Sequence, residues 1–482
     1  MIMAIKRVLF LVLASTFALQ SSAATIVIQV NDGPGEGFND PNPPRNANQK
    51  GSNPGTSLGE MRLELFKEAA KVWGDIVNST ETITIGAEFN DLGCFGNSAL
   101  LGQAGPTSTK ENFGSGDANI AYAVALAESL SSSNQNGASV EINAEFNSKV
   151  DSDITCLGGG GFYYGLDGNV PDGTTALFST VLHELGHGLG FLSYVTQDGS
   201  WLNGTMDPYS RLLMDLQTGK SWADMSDLER SNSLLNEPNL VWTGAKVTED
   251  RTLHLDPTTE LKINAPAPAG TSDANLGQQS PAIPGGGLAA AVVDGNSVSD
   301  LDGPPFDGCS QFTFTQDAFT GKIVLFDKTA ACPVVIQVLW AQREAAVGVI
   351  IAETSGVELA DVNGLLNGEL TIPYIGTGKA EADQLRTNIG VANVTFQNSA
   401  TKLMGENQGK LKMYAPLILK PGSSVSHWSE TATPDLLMEP SSGTLIYQNV
   451  DLTAAAFQDI GWSVNIPGAQ LELIYKDGFE NP

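Results

Sequence analysis

His183 and His187 stand four residues apart, with Glu184 beside the first, in the stretch T-V-L-H-E-L-G-H-G-L-G at 180–190. Four residues make about one helical turn, so both imidazoles leave the same face of a helix. Two neutral imidazoles on one face suit a zinc ion. A carboxylate one residue along is offset enough to take a proton from water rather than bind the metal. The pattern H-E-x-x-H therefore predicts metal-assisted hydrolysis, with His183 and His187 as ligands and Glu184 as the group that handles protons. Phe178, Leu182, Leu185 and Leu189 recur at helical spacing on the opposite side, and Thr174 or Thr175 is placed to cap the start of the helix. A catalytic zinc usually takes three protein ligands, so the chain must hold one more.

The chain has four histidines, which leaves His254 and His427. His254 lies in R-T-L-H-L-D-P with no chemistry around it and reads as structural. His427 lies in S-H-W-S-E, ahead of P-D-L-L-M-E-P and D-L-T-A-A-A-F-Q-D-I-G-W. A glutamate is the other option for the third ligand. Glu229 and Glu237 are the candidates, and neither sits in a recognisable second motif.

At 482 residues the chain exceeds one ordinary core, and two or three domains are expected. It carries 54 acidic residues against 25 Lys and Arg, a net charge of −29. That excess argues against nucleic acid or an anionic membrane as partner. Calcium is conceivable at Asp300, Asp302 and Asp307, although no loop has EF-hand spacing. Lys6 and Arg7, an apolar run from Val8 to Leu19 and the small residues Ser22, Ala23 and Ala24 predict a secretory signal over 1–24. The run is too short for a membrane span. The expected location is therefore extracellular or periplasmic, where the four cysteines form disulfides. Their order along the chain favours Cys94–Cys156 and Cys309–Cys332 among the three possible connectivities.

The elements needed to position the motif follow from periodicity. Ile26, Ile28 and Val30 make a short strand, and Leu58, Met61, Leu65, Ala69, Val72, Trp73 and Ile76 make the buried face of a helix over 57–77. Ile83, Ile85, Ala87 and Phe89 give a second strand, and a further helix is expected over 118–130. Val140, Ile142, Ala144 and Phe146 alternate with Glu141, Asn143, Glu145 and Asn147, which predicts an edge strand on which a peptide could pair. This order of elements suits an α+β domain. From about residue 246 the texture changes to Pro- and Gly-rich loops, short strands and two short helices, a module of its own.

Gly190 extends the motif to H-E-x-x-H-x-x-G, which resembles the metzincin zinc proteases. In that clan the chain turns at the glycine toward a third histidine three residues on, where this sequence has Ser193. Leishmanolysin-like metzincins place a long insertion before that histidine. Ser426-His427-Trp428, Leu437-Met438-Glu439-Pro440 and 457–461 resemble their third-ligand and methionine-turn regions. The resemblance implies His427 as third ligand and Met438 as the methionine packed beneath the metal. The module over 257–401 resembles a protease-associated (PA) domain through Gly321-Lys322-Ile323-Val324-Leu325-Phe326, 345–351, 372–375, Cys309 and Cys332.

The fold expected from these resemblances is a metzincin-like domain over 25–256 and 402–465, interrupted by a β-rich α/β PA domain and followed by an unassigned tail over 466–482. The expected activity is a secreted zinc endopeptidase acting on protein or peptide substrates, with one catalytic Zn2+. The alternatives are an aminopeptidase with a PA domain and a noncatalytic zinc-stabilised binding protein.

Overall fold

Alternation at Ile83, Ile85, Ala87 and Phe89 leaves one apolar face on a strand, and the order of its neighbours decides where the motif helix rests. The computed structural model describes residues 23–265, 268–297, 308–309, 319–330, 332–364, 370–441 and 450–465. Residues 1–22 of the expected signal, the acidic cluster Asp300, Asp302 and Asp307, and the tail 466–482 lie outside them. Two compact units divide the chain. One is Leu255–Gly409, and the other combines the segments before and after it.

The discontinuous unit is built on a four-stranded sheet. The elements that frame the site are, in chain order, β1 (Ile26–Val30), α1 (Leu58–Ile76), β2 (Ile83–Asn90), β3 (Gly102–Pro106), α2 (Val124–Ser131), β4 (Ile142–Asn147), α3 (Leu177–Gly188), α4 (Ala245–His254) and α5 (Asp451–Ile460). The strand order is β1-β2-β4-β3, with the first three parallel and β3 antiparallel to β4. The fold is thus mixed α/β rather than the expected α+β, because parallel pairs dominate this sheet.

α1 begins at Ser57, whose hydroxyl accepts the Glu60 amide while the Glu60 carboxylate accepts the Ser57 amide. This reciprocal cap satisfies two amides that the first turn would leave unpaired. Met61, Leu65, Ala69, Trp73 and Ile76 are buried along its inner face. Phe38, Phe66, Phe89 and Phe146 meet largely edge-to-face between α1 and the sheet. α3 lies beside α1, and Trp73 Nε1 donates to the Leu182 carbonyl across the contact at 2.9 Å.

Two expectations need correcting here. The strand at 142–147 is interior, not an edge. Its polar face is wet because one side of the sheet faces solvent, which gives the same alternation that an edge would. The edge belongs to β3, whose G-Q-A-G-P has no apolar alternation to announce it. The helix expected over 118–130 is shortened to Val124–Ser131, because Tyr122–Ala123 pairs antiparallel with Thr109–Lys110.

In the second unit, seven strands close a barrel in the order 257–265, 270–276, 374–377, 348–352, 323–327, 288–294 and 393–403. The run from 288–294 to 374–377 is parallel; helix Val334–Arg343 connects 323–327 to 348–352, and helix Lys379–Thr387 leads from 374–377 to 393–403. Leu261, Ile263, Ile323, Leu325, Ile350, Ile375, Val394 and Phe396 fill its interior. Closure leaves the barrel no long free edge. Both disulfides, Cys94–Cys156 and Cys309–Cys332, are formed, each within one unit. No helix among the described residues is long and apolar enough to cross a membrane.

Candidate metal centre

α3 carries His183, Glu184 and His187 on one side and buries Phe178, Leu182, Leu185 and Leu189 on the other. Its N-cap is Ala176, with no side-chain cap. Thr174 and Thr175 do not serve as caps: Thr175 is instead paired as a strand with Phe162. After His187 the chain turns at Gly190, where φ is +114°. A side chain there would meet only ordinary contacts with Ala123 and Ile460, so the requirement for glycine comes from the backbone. Gly190→Ala is expected to cost about 1–3 kcal/mol through that strain. Thermal unfolding of the variant measures it.

The turn brings in a second segment. His427 reaches α3 from 240 residues further along, and the three Nε2 atoms form a triangle with edges of 3.1, 3.1 and 3.2 Å. The Nδ1 atom of each ring faces a backbone carbonyl. His183 bonds Leu437 O at 2.6 Å, His187 bonds Phe191 O at 2.7 Å, and His427 bonds Ser423 O at 2.8 Å. A carbonyl only accepts, so each Nδ1 carries the proton and each Nε2 presents a lone pair. Three lone pairs converging at this distance repel unless a cation lies between them. The edges are close to the roughly 3.3 Å separating ligands of a tetrahedral ion bonded at about 2.0–2.1 Å. Zinc fits this donor set, and among the described residues no other group of three His, Cys, Asp or Glu side chains could hold a metal.

The electrostatics favour the ligating form. Burial lowers the pKa of all three imidazoles, and that of His187 falls to about 3 with the neighbouring His183 adding to the effect. Neutral imidazole is the species that binds metal. Glu184 is half-buried beside them. Burial raises its carboxyl to about 7, and the nearby backbone of Ala104 on β3 pulls the other way. A carboxyl poised in that range can take up and release a proton near neutral pH.

Met438 is fully buried against α3. A Cβ on Gly186 would lie 2.8 Å from its sulfur and 3.4 Å from Trp73, so the missing side chain lets Met438 pack directly on the helix between the two histidines. Ser193, at the position of the compact third ligand, binds the segment that supplies His427 instead. Its amide donates to Ser426 Oγ at 3.1 Å, and its hydroxyl bonds Ser210, which in turn donates to the buried Asp207. Tyr209 Oη donates to Val425 O at 2.8 Å. These bonds fix the backbone that enters the site.

The alternative glutamates lie elsewhere. Glu229 caps its own short helix and pairs with Lys220, and Glu237 accepts from Ser429 Oγ and the Ala415 amide. His254 stands outside the triad, yet its surroundings are not inert: it faces the buried carboxylate of Asp451. Sequence reasoning missed the carbonyls that anchor the rings, since any residue can supply one. Asp451 was findable, because an acidic residue in D-L-T at the start of a helical pattern marks a first turn.

A family model described as PA domain matches residues 286–385. No curated protein matches the chain. Solved structures similar to part of it include the zinc aminopeptidase BSAP from Bacillus subtilis, at 17% identity over 32% of this chain and 36% of that one, with a TM-score of 0.22. The aminopeptidase from Aneurinibacillus sp. strain AM-1 is 20% identical over 30% of this chain and 31% of that one, with a TM-score of 0.22. The subtilisin-like protease Apa1 from the Antarctic psychrotroph Pseudoalteromonas sp. AS-11 is 14% identical over 30% of this chain and 34% of that one, with a TM-score of 0.23. The chain thus covers about a third of each of these structures. Likenesses this partial leave the chemistry of the site to its own residues.

Proposed function

We propose that the protein is a secreted zinc-dependent peptidase of metzincin type, an endopeptidase, with His183, His187 and His427 as metal ligands and Glu184 as general base. The observation that carries this reading is the convergence of three proton-free Nε2 atoms beside a carboxyl raised to about 7. Bound zinc supplies Lewis acidity, which makes water nucleophilic near neutral pH and polarises a peptide carbonyl. Glu184 takes the proton that the attacking water loses and hands it to the leaving amine. Leu437, Phe191 and Ser423 keep the imidazoles oriented through their carbonyls, so little reorganisation is needed when substrate arrives. Met438 packs under the site rather than ligating.

β3 gives the reading its substrate geometry. It is the edge of the sheet nearer α3, antiparallel to β4, and its Ala104 backbone lies near Glu184. An extended polypeptide pairing along that edge passes directly by the base. An edge of this kind binds the middle of a chain, which favours internal cleavage over removal of terminal residues. The formed disulfides suit an exported protein.

Purified protein should hydrolyse a peptide blocked at both ends, lose that activity to a chelator and regain it with zinc. Cleavage confined to free N-termini would instead assign an aminopeptidase. Stoichiometric zinc with no hydrolysis of unfolded protein would assign a noncatalytic zinc-stabilised binding protein.

A further inference from the structure

The three imidazoles are not anchored alike. His187 and His427 bond carbonyls four residues away in sequence, Phe191 and Ser423, which come with the local turn. His183 bonds the carbonyl of Leu437, 254 residues away. Nothing local fixes that acceptor, so whatever holds Leu437 holds the first ring.

Asp451 opens α5 with its side chain buried. One oxygen stays within the first turn of α5, accepting the Thr453 amide and hydroxyl, each at 3.1 Å. The other oxygen is spent outside the helix, on the amide of Leu437. The amide and carbonyl of this one residue are thus both committed, the first to Asp451 and the second to His183 Nδ1. Two bonds flanking a single Cα set the direction in which the carbonyl points. α5 is itself held at its far end, where Asp459 accepts the Lys246 and Val247 amides at the start of α4 and Trp242 Nε1. At the other end of α4, His254 faces Asp451. The two helices therefore run antiparallel, with one aspartate at each end of their contact.

We infer that Asp451 is a positioning residue for the metal centre, fixing the ring of His183 through Leu437. This rests on the metal reading proposed above and extends it to a residue that touches neither metal nor substrate. A carboxylate that served only the first turn of α5 would not need its second oxygen on the Leu437 amide.

The test separates the two jobs of Asp451. Asp451→Ser keeps an acceptor short enough for the Thr453 amide but cannot reach Leu437. Asp451→Asn keeps the size and offers one acceptor oxygen where two amides need one. Asp459→Asn perturbs the opposite end of the same helix with no path to Leu437. Zinc dissociation constants, measured by competition with a chelating dye, should rise about 10–100-fold for both Asp451 variants. They should stay at the wild-type value for Asp459→Asn, even where all three variants lower the unfolding temperature of the metal-free protein. Should Asp451→Ser fail to fold, Asp451→Asn carries the comparison. Wild-type zinc affinity in a folded Asp451 variant overturns the inference, as does an equal loss in Asp459→Asn. Wild-type protein that binds no zinc overturns both this inference and the metal reading. Wild-type protein that binds zinc without cleaving peptides overturns only the proposed activity.

Discussion

Replacing His427 with alanine should abolish tight zinc binding, weakening it by well over 100-fold, beyond the range that loss of a supporting contact causes. The expectation follows from what the substitution leaves behind. His427 is buried, and its Nε2 lies 3.1 Å from that of His183 and 3.2 Å from that of His187. Its removal leaves two imidazoles one helical turn apart, which cannot close a catalytic site alone. The backbone around it should stay in place, because Ser193 and Tyr209 hold Ser426 and Val425 by bonds that do not involve the imidazole. Equilibrium dialysis with zinc, together with the circular dichroism of the metal-free variant, checks both halves. Wild-type affinity in a folded His427→Ala would remove it from the ligand set.

The second large effect concerns Glu184. Glu184→Gln should retain zinc and lose about 100-fold or more in turnover. The amide has nearly the shape of the carboxylate, so the packing around it survives. What disappears is a group able to take a proton. Before metal binds, burial raises the carboxyl to about 7, and as a carboxylate it can accept the proton of the attacking water, which a Gln amide cannot. Turnover of an end-blocked peptide and the zinc content of the same preparation decide the matter. Near wild-type turnover would exclude a base role, and loss of zinc would make Glu184 a structural part of the centre.

Much of the scaffold was legible because it is written in short-range patterns. The 3.6-residue period of Met61, Leu65, Ala69, Trp73 and Ile76 placed α1, and Ser57 with Glu60 marked its start. The two-residue period of Ile83 to Phe89 placed β2. Period fails where two environments give the same pattern. Ile142, Ala144 and Phe146 alternate with polar residues whether the strand is at an edge or inside a sheet with one wet face, and here it is inside. Period also fails where a strand has no pattern, as at Gly102–Pro106. The edge beside Glu184 was therefore invisible, although the proposed pairing with a polypeptide depends on it. Thr174 and Thr175 had the right chemistry to cap α3, but pairing of Thr175 with Phe162 drew that segment into a strand first.

By itself the sequence determined which side chains one helix presents together. Two imidazoles and a carboxylate at fixed spacing must share a side once the helix forms, because the backbone geometry is local and the same in any fold. It also singled out His427 and Met438, through the neighbouring residues that resemble a known turn. Tertiary structure alone decided that His427 lies against α3, that each Nδ1 meets a carbonyl and so turns its Nε2 inward, and that Asp451 reaches past its own helix to Leu437. These are contacts across some 240 residues or within irregular loops. They depend on how separate elements pack, and no periodicity encodes the direction in which a backbone carbonyl points.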